Sequence, residues 1–161
     1  MVYYSLGASM SIKIAGYYGN GDIAQIRNCS VAGLHIIMAC AATACLLFFF
    51  LGEPVIRLFT DDVAVIAVAI LVIPPLMLYQ VGDALQITYA NALRGITDVR
   101  PMMITAIIAY LIVGLPLGYL LAFPCGMGIV GIYLSFAVAL LLAGVLFFAK
   151  FQIDLRNLTR Q

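Results

Sequence analysis

The sequence predicts an all-α, polytopic transmembrane helix bundle, and three observations lead to this prediction. Of its 161 residues, 65% are hydrophobic and only 9% are charged, whereas a soluble domain carries roughly 25% charged residues. Long stretches contain no formal charge, at 28–52, 63–82 and 101–149. These stretches lack the alternation of polar and apolar residues that membrane β-strands need. The composition therefore excludes soluble globular enzymes and disordered chains, and a net charge of +1 argues against a nucleic-acid partner.

About five membrane spans are predicted, because about 20 apolar helical residues cross a hydrocarbon core of about 30 Å. We place them at 2–18, 29–51, 63–93, 102–122 and 129–149, followed by a tail at 150–161. The first span contains Lys13, whose ammonium group can reach a nearby interface. Because that span begins at about Met1, we expect either a bare start at the bilayer or a chain that is a piece of something longer.

Local signals at the helix ends agree with this division. Residues 22–25 resemble a capping box at a helix start, and residues 60–62 place a cap and acids at the next one. The sequence at 52–54, Gly-Glu-Pro, predicts a helix end, as does Arg-Gly at 94–95. Residues 123–128, rich in glycine and proline, predict the turn that folds the last long apolar stretch back on itself.

The segments between the predicted spans are alternately rich and poor in Lys and Arg, and this alternation predicts the orientation of the chain in the membrane. The 13–27 and 94–100 segments and the tail at 150–161 hold seven of the eight Lys and Arg residues. The 53–62 loop has one basic residue and three acidic ones, and the 123–128 turn has no basic residue. We therefore expect the C-terminus on the cytoplasmic side and residue 1 outside.

Catalytic chemistry has little support in this sequence. There is one histidine, His35, and the four cysteines form no C-x-x-C pair, so we predict no enzyme and no cofactor. His35 would either line a cavity as a proton relay or substrate contact, or sit neutral and hydrogen-bonded inside the bundle; we favour the second. Gly126 to Gly131 matches G-x-G-x-x-G, but without a surrounding βαβ unit we interpret it as a turn between membrane helices.

Asp83 is the most informative polar residue. If the third span continues to 93, Asp83 lies well within the membrane, where it costs roughly 2.5–3.5 kcal/mol. Tyr79, Asp83 and Gln86 share one helix face, which must contact protein or water rather than lipid. Burial favours a protonated carboxyl group and a bound cation favours the ionised one, so protons and cations would compete there. The alternative is an interfacial aspartate on a helix end.

Prolines are expected to kink two spans. Pro74 and Pro75 can bend and tilt the long third span. Pro116 frees a backbone carbonyl group in the fourth span, where Gly114 and Gly118 permit close helix approach. Kinked helices are common in transporters and in membrane bundles generally.

Several motifs together resemble the MATE (multidrug and toxic compound extrusion) family, most closely its NorM-like branch. Gln86 followed by Asn-Ala-Leu-Arg-Gly-Ile-Thr-Asp-Val-Arg-Pro at 91–101 resembles the signature Q…G-A-L-R-G-x-G-D-T-R-x-P. Residues 115–119 resemble its l-P-l-g-Y helix, 128–133 its G-x-x-G-i-W start of the last helix, and 11–22 its s-i-R-v-g…G-x-g-d stretch. The resemblance covers essentially the whole chain in the right order.

The resemblance implies a cation-coupled (Na⁺ or H⁺) efflux antiporter of the bacterial inner membrane that works by alternating access on small cationic organic substrates. Such proteins have twelve spans in two lobes, and this chain corresponds to about spans 8 to 12, part of the C-terminal lobe. Tyr79 and Asp83 match a cation-binding pair, with Asp83 the candidate Na⁺ ligand. The partners implied are the lipid bilayer and the missing N-terminal lobe or a second subunit.

Two other functions stay open. The chain could be complete and act as a non-transporting membrane module or partner subunit. It could also belong to a related lipid-linked sugar flippase, although its basic residues look peripheral rather than cavity-lining. The exported substrate and the choice between Na⁺ and H⁺ are not determined by the sequence.

Overall fold

The fold is a bundle of long helices joined by short turns, seen in a computed structural model that describes residues 2–160. Within these residues no β-strand occurs, which confirms the predicted all-α class. The elements are α1 (Val2–Gly19), α2 (Ile23–Phe59), α3 (Val63–Gly95), α4 (Arg100–Ala106), a π-helical segment (Ile107–Gly114), α5 (Leu115–Ala122) and α6 (Gly128–Thr159). The two alternatives for Met1, a bare start or a cut in a longer chain, concern a residue outside those described.

Four stretches of helix are long and apolar enough to cross a membrane, among the residues described. They are α2, α3, the run Met102–Ala122 and α6. Helix α1 matches the predicted first span in its bounds, but it is not one of these four. Its crossing of the membrane therefore stays a prediction.

Most helix ends fall where capping chemistry predicts them. Asp22 caps α2 by accepting a hydrogen bond from the backbone N–H of Gln25 at 3.1 Å. Asp62 caps α3 through the N–H of Ala64 at 2.9 Å, and α3 ends at Gly95. Gly126 and Gly128, both with positive φ, form the turn before α6.

One predicted helix end is wrong. Helix α2 does not end at 52–54 but continues to Phe59 with Pro54 inside it. Proline keeps a helical φ and removes one hydrogen bond, while an ion pair between Arg57 Nη2 and Glu53 Oε1, 2.8 Å apart, spans the same turn. The residues that follow the last predicted span continue α6 as far as Thr159, and Phe151 and Leu155 among them are buried in the main core.

Successive helices alternate in direction, and two parallel pairs result. Gly7 approaches Asn91 and Gly95 approaches Ile14, so α1 runs parallel to α3. Gly82 approaches Leu140 and Gly144 approaches Leu85, so α6 also runs parallel to α3. The main core lies where α1, α3 and α6 meet, towards the end of the bundle that carries the α1–α2 and α3–α4 turns. Helix α3 is thus the central element.

Candidate functional site

Asp83 lies on the central helix α3, which packs against α1, α2 and α6. The helix is continuous from Val63 to Gly95, as the extended third span predicts. Asp83 is twelve residues from its C-terminal end, about 18 Å at 1.5 Å per residue. Its neighbour Gly82 allows α6 to approach closely, because a Cβ atom there would lie 2.9 Å from Leu140 Cβ. The carboxyl group is therefore placed well inside the length of the bundle.

A cavity of about 570 Å³ opens between α1, α2 and α3 beside Asp83. Its polar lining comes from all three helices: Tyr3 on α1, Cys40 and Thr43 on α2, and Gln80 with Asp83 on α3. The remaining lining residues are apolar. A mostly apolar cavity with a few convergent polar groups has the character and size of a small-molecule or ion site.

Three tyrosines lie within electrostatic reach of the Asp83 carboxyl group: Tyr3, Tyr79 and Tyr110. Tyr79 is one turn before Asp83 on the same helix, whereas Tyr110 comes from the π-helical segment. Among the residues that the structure describes, no Lys or Arg side chain forms an ion pair with Asp83. The carboxyl group thus has three tyrosine hydroxyl groups within electrostatic reach, and no basic side chain of residues 2–160 is paired with it.

The π-helical segment brings Tyr110 to the face of α3 that carries Tyr79, Asp83 and Gln86. The side chains of Tyr110 and Gln86 lie close to each other, and Gly114 and Pro116 follow within two turns. A π-helical stretch inside a longer helix is rare and is often found at functional sites. The sequence signalled a kink at Pro116, but it gave no sign of Tyr110 itself.

The other singled-out residues lie apart from the Asp83 cavity. His35 is exposed on α2, and its Nδ1 donates to the Val31 carbonyl oxygen at 2.7 Å. Gln86 lines a second, smaller cavity of about 200 Å³. Pro74 is exposed and Pro75 buried, both inside α3, and Pro116 lies in the first turn of α5.

The arrangement suits a monovalent cation or a proton better than a transition metal. No group of three or more His, Cys, Asp or Glu side chains with metal-binding geometry occurs in the described part of the chain. One carboxylate with hydroxyl and amide oxygens offers the hard ligands that Na⁺ accepts. The sequence singles out Asp83 and Tyr79 but not Gln80, three residues before Asp83 on the same helix. It gives no signal for the polar residues that packing brings near Asp83 from other elements, Tyr3, Cys40, Thr43 and Tyr110.

Comparison with known proteins finds one family model and several related proteins. The family model MatE matches residues 1–120. Multidrug resistance protein PmpM of Pseudomonas aeruginosa is 36% identical over 119 residues, which is 74% of this chain and 25% of that protein. Probable multidrug resistance protein NorM of Acinetobacter baylyi is 30% identical over 161 residues, 100% of this chain and 36% of that protein.

A third relative, Multidrug resistance protein NorM of Vibrio vulnificus, is 33% identical over 144 residues, 87% of this chain and 32% of that protein. The chain therefore spans about a quarter to just over a third of the length of the curated relatives described here.

Proposed function

Because the chain belongs to the MatE family, we propose that it works within a multidrug efflux transporter of the bacterial inner membrane. In this proposal it supplies about spans 8 to 12 of a twelve-span protein, part of the C-terminal lobe. The share of each relative that it covers, 25% to 36%, supports that extent. The names of those relatives support multidrug compounds as substrates, and the resemblance to the family implies small organic cations among them.

Coupling to Na⁺ or H⁺ is the second part of the proposal, with Asp83 as the binding group and Tyr79 beside it. The observation that carries it is the Asp83 carboxyl group at a cavity between α1, α2 and α3 with no described basic partner. A carboxylate in a low-dielectric site is unstable as a bare anion, so it takes up a proton or a cation.

Efflux would then follow from alternating access. The two lobes move against each other and expose the cavity first to one side of the membrane and then to the other. On the outer side Asp83 binds the incoming cation or proton, and on the inner side it releases it. Gln86 and the prolines that are expected to kink their helices, Pro74, Pro75 and Pro116, lie on the helices that would have to adjust.

The test replaces Asp83 by asparagine in the protein expressed from its complete gene in a drug-susceptible bacterium. Asp83→Asn keeps the size of the side chain and removes its charge, so we expect gradient-driven efflux of a fluorescent organic cation to fall to background. The control is Asp61→Asn, an exposed aspartate in the α2–α3 loop, which should leave efflux unchanged. Immunoblots of the membrane fraction check that both variants are present in equal amounts.

The outcomes separate the two parts of the proposal. Unchanged efflux by Asp83→Asn would refute the coupling role of this residue while keeping the transporter assignment. Absence of efflux from the unaltered protein, over a panel of organic cations, would refute the transport function. Imposing a Na⁺ gradient or a pH gradient alone on reconstituted vesicles identifies the coupling ion.

A further inference from the structure

A second cavity lies between α1, α3 and α4, just inside the end of the bundle where α3 terminates. It measures about 200 Å³, and its polar lining is Tyr4, Gln86, Asn91 and Arg94. Its apolar lining includes Met102 on α4. This volume is below the roughly 300–1,000 Å³ of sites for drug-sized ligands, so a small polar group fits it better than an exported compound.

Arg94 brings a positive charge to this cavity that no described acidic side chain neutralises. Its side chain is exposed and forms no ion pair within residues 2–160. Only Arg57 and Lys150 form ion pairs among the basic side chains of residues 2–160, with Glu53 and with Asp98 and Asp154 respectively. Arg94 combines an unpaired charge with a place in the lining of a cavity. A guanidinium group offers five N–H donors in a planar fork that matches phosphate oxygens.

The cavity begins near the end of α3, where we expect the membrane surface, and extends inwards. Gln86 and Arg94 are eight residues apart on α3, about 12 Å along the helix, so the cavity extends from the end of α3 towards the apolar interior. The same end of the bundle carries seven of its eight basic residues. The adjoining face of α4 and of the start of the π-helical segment exposes large apolar side chains to its surroundings, namely Met103, Ile104 and Ile107.

From these observations we propose that the cavity binds the phosphate group of an anionic phospholipid. Arg94 would hold the phosphate oxygens, and Gln86 and Tyr4 would donate further hydrogen bonds. The acyl chains would lie along the exposed apolar face of α4. Basic cavities between membrane helices are known to take anionic lipid headgroups, and the apolar face beside this one distinguishes a lipid from a free anion.

Binding is measured on the protein expressed from its complete gene and purified in detergent. The probes are a short-chain phosphatidylglycerol, phosphatidylcholine of the same chain length, and inorganic phosphate. We expect saturable binding of phosphatidylglycerol and much weaker binding of the other two. Arg94→Gln should weaken phosphatidylglycerol binding by about tenfold or more, because it removes a charge-assisted hydrogen bond worth about 1.5 kcal/mol or more.

The matched control is Arg27→Gln at the same end of the bundle but away from the cavity. It should weaken binding by no more than about fivefold, the effect of one basic residue near an anionic surface. Ala106→Leu, which fills the cavity without changing charge, should also abolish binding. It keeps the test decisive if Arg94→Gln does not fold.

Three results would overturn the proposal. Equal effects of Arg94→Gln and Arg27→Gln would indicate general surface attraction. Full binding by Ala106→Leu would place the lipid elsewhere. Saturation of an Arg94-dependent site by inorganic phosphate alone would assign the cavity to a free anion rather than to a lipid.

Discussion

Lys150 holds two carboxylates together at one end of the bundle. Its Nζ lies 2.8 Å from Asp98 Oδ2, and Asp154, one turn along α6, is its second partner. Asp98 is in the loop between α3 and α4, so this contact ties that loop to α6. The hydrogen bond from Lys150 is the main reason that the pKa of Asp98 lies below its ordinary value of 3.8.

The lowered pKa gives a testable pH dependence. The folded protein holds the ionised form of Asp98 more tightly than the unfolded chain does, so the stabilisation is fully present above about pH 3.8. It is lost as the pH falls through the lower pKa of the folded state. We expect Asp98→Asn to reduce stability by about 1 kcal/mol at neutral pH and to remove this part of the acid sensitivity.

Thermal unfolding in detergent between pH 7 and pH 3 measures this effect as the difference between wild type and variant. Asp61→Asn serves as the control, since Asp61 is exposed and forms no ion pair within the described chain. A difference between wild type and Asp98→Asn that stays constant down to pH 3 would contradict the assignment.

At the level of the helices, close approach at small residues determines how α3 packs. A Cβ atom on Gly82 would lie 2.9 Å from Leu140 Cβ and 3.0 Å from the backbone nitrogen of Leu141. Small residues at helix interfaces let backbones approach in membranes, where no hydrophobic force drives helices together. The position of Asp83 relative to its cavity therefore depends on its glycine neighbour.

Gly82→Ala should destabilise the protein by about 1–3 kcal/mol, because the added methyl group overpacks the α3–α6 contact. Gly16→Ala on α1 is the matched control, with no atom within 4 Å of the new Cβ, and should stabilise by about 0.5–1 kcal/mol through helix propensity. Denaturation in detergent compares the two. Stabilisation by both substitutions would show that α3 and α6 do not approach this closely.

The whole molecule has a well-packed end and a more open end. The main core lies towards the end that carries Arg94 and Lys150 and continues into the last turns of α6. At the opposite end an apolar cavity of about 920 Å³ separates α2 and α3 beside the start of α6. The last turns of α6 thus contribute Phe151 and Leu155 to the core.

Phe151→Ala tests this conclusion. Phe151 is 2% exposed and its ring packs against Tyr89 with centroids 5.9 Å apart, so the substitution should cost about 3–5 kcal/mol. Ile153→Ala, at a site 53% exposed, should cost less than about 1 kcal/mol. Unfolding in detergent measures both, and a small effect of Phe151→Ala would mean that residues 150–159 do not pack into the core.

The chain's fold class and most of its helix ends follow from the sequence alone. Long apolar stretches without polar alternation favour helices in a bilayer, and Asp22 and Asp62 cap their helices through hydrogen bonds to residues nearby in sequence. Tyr79, Asp83 and Gln86 share one face of α3 because of the helical period. The end of α2 differs from the prediction, because the Glu53–Arg57 ion pair spans the turn that Gly52 and Pro54 were expected to end.

Only the tertiary structure decided which polar groups from other helices lie near Asp83. Tyr3 and Tyr110 are far from it in sequence, and no local pattern encodes their approach, which depends on glycine contacts and on the π-helical segment. Packing likewise placed His35 on the surface, joined Arg94 and Gln86 in one cavity and made the last turns of α6 part of the core. The periodicity of hydrophobic residues predicts which face of a helix is apolar. Which helix that face contacts depends on how well the side chains of the two helices fit together.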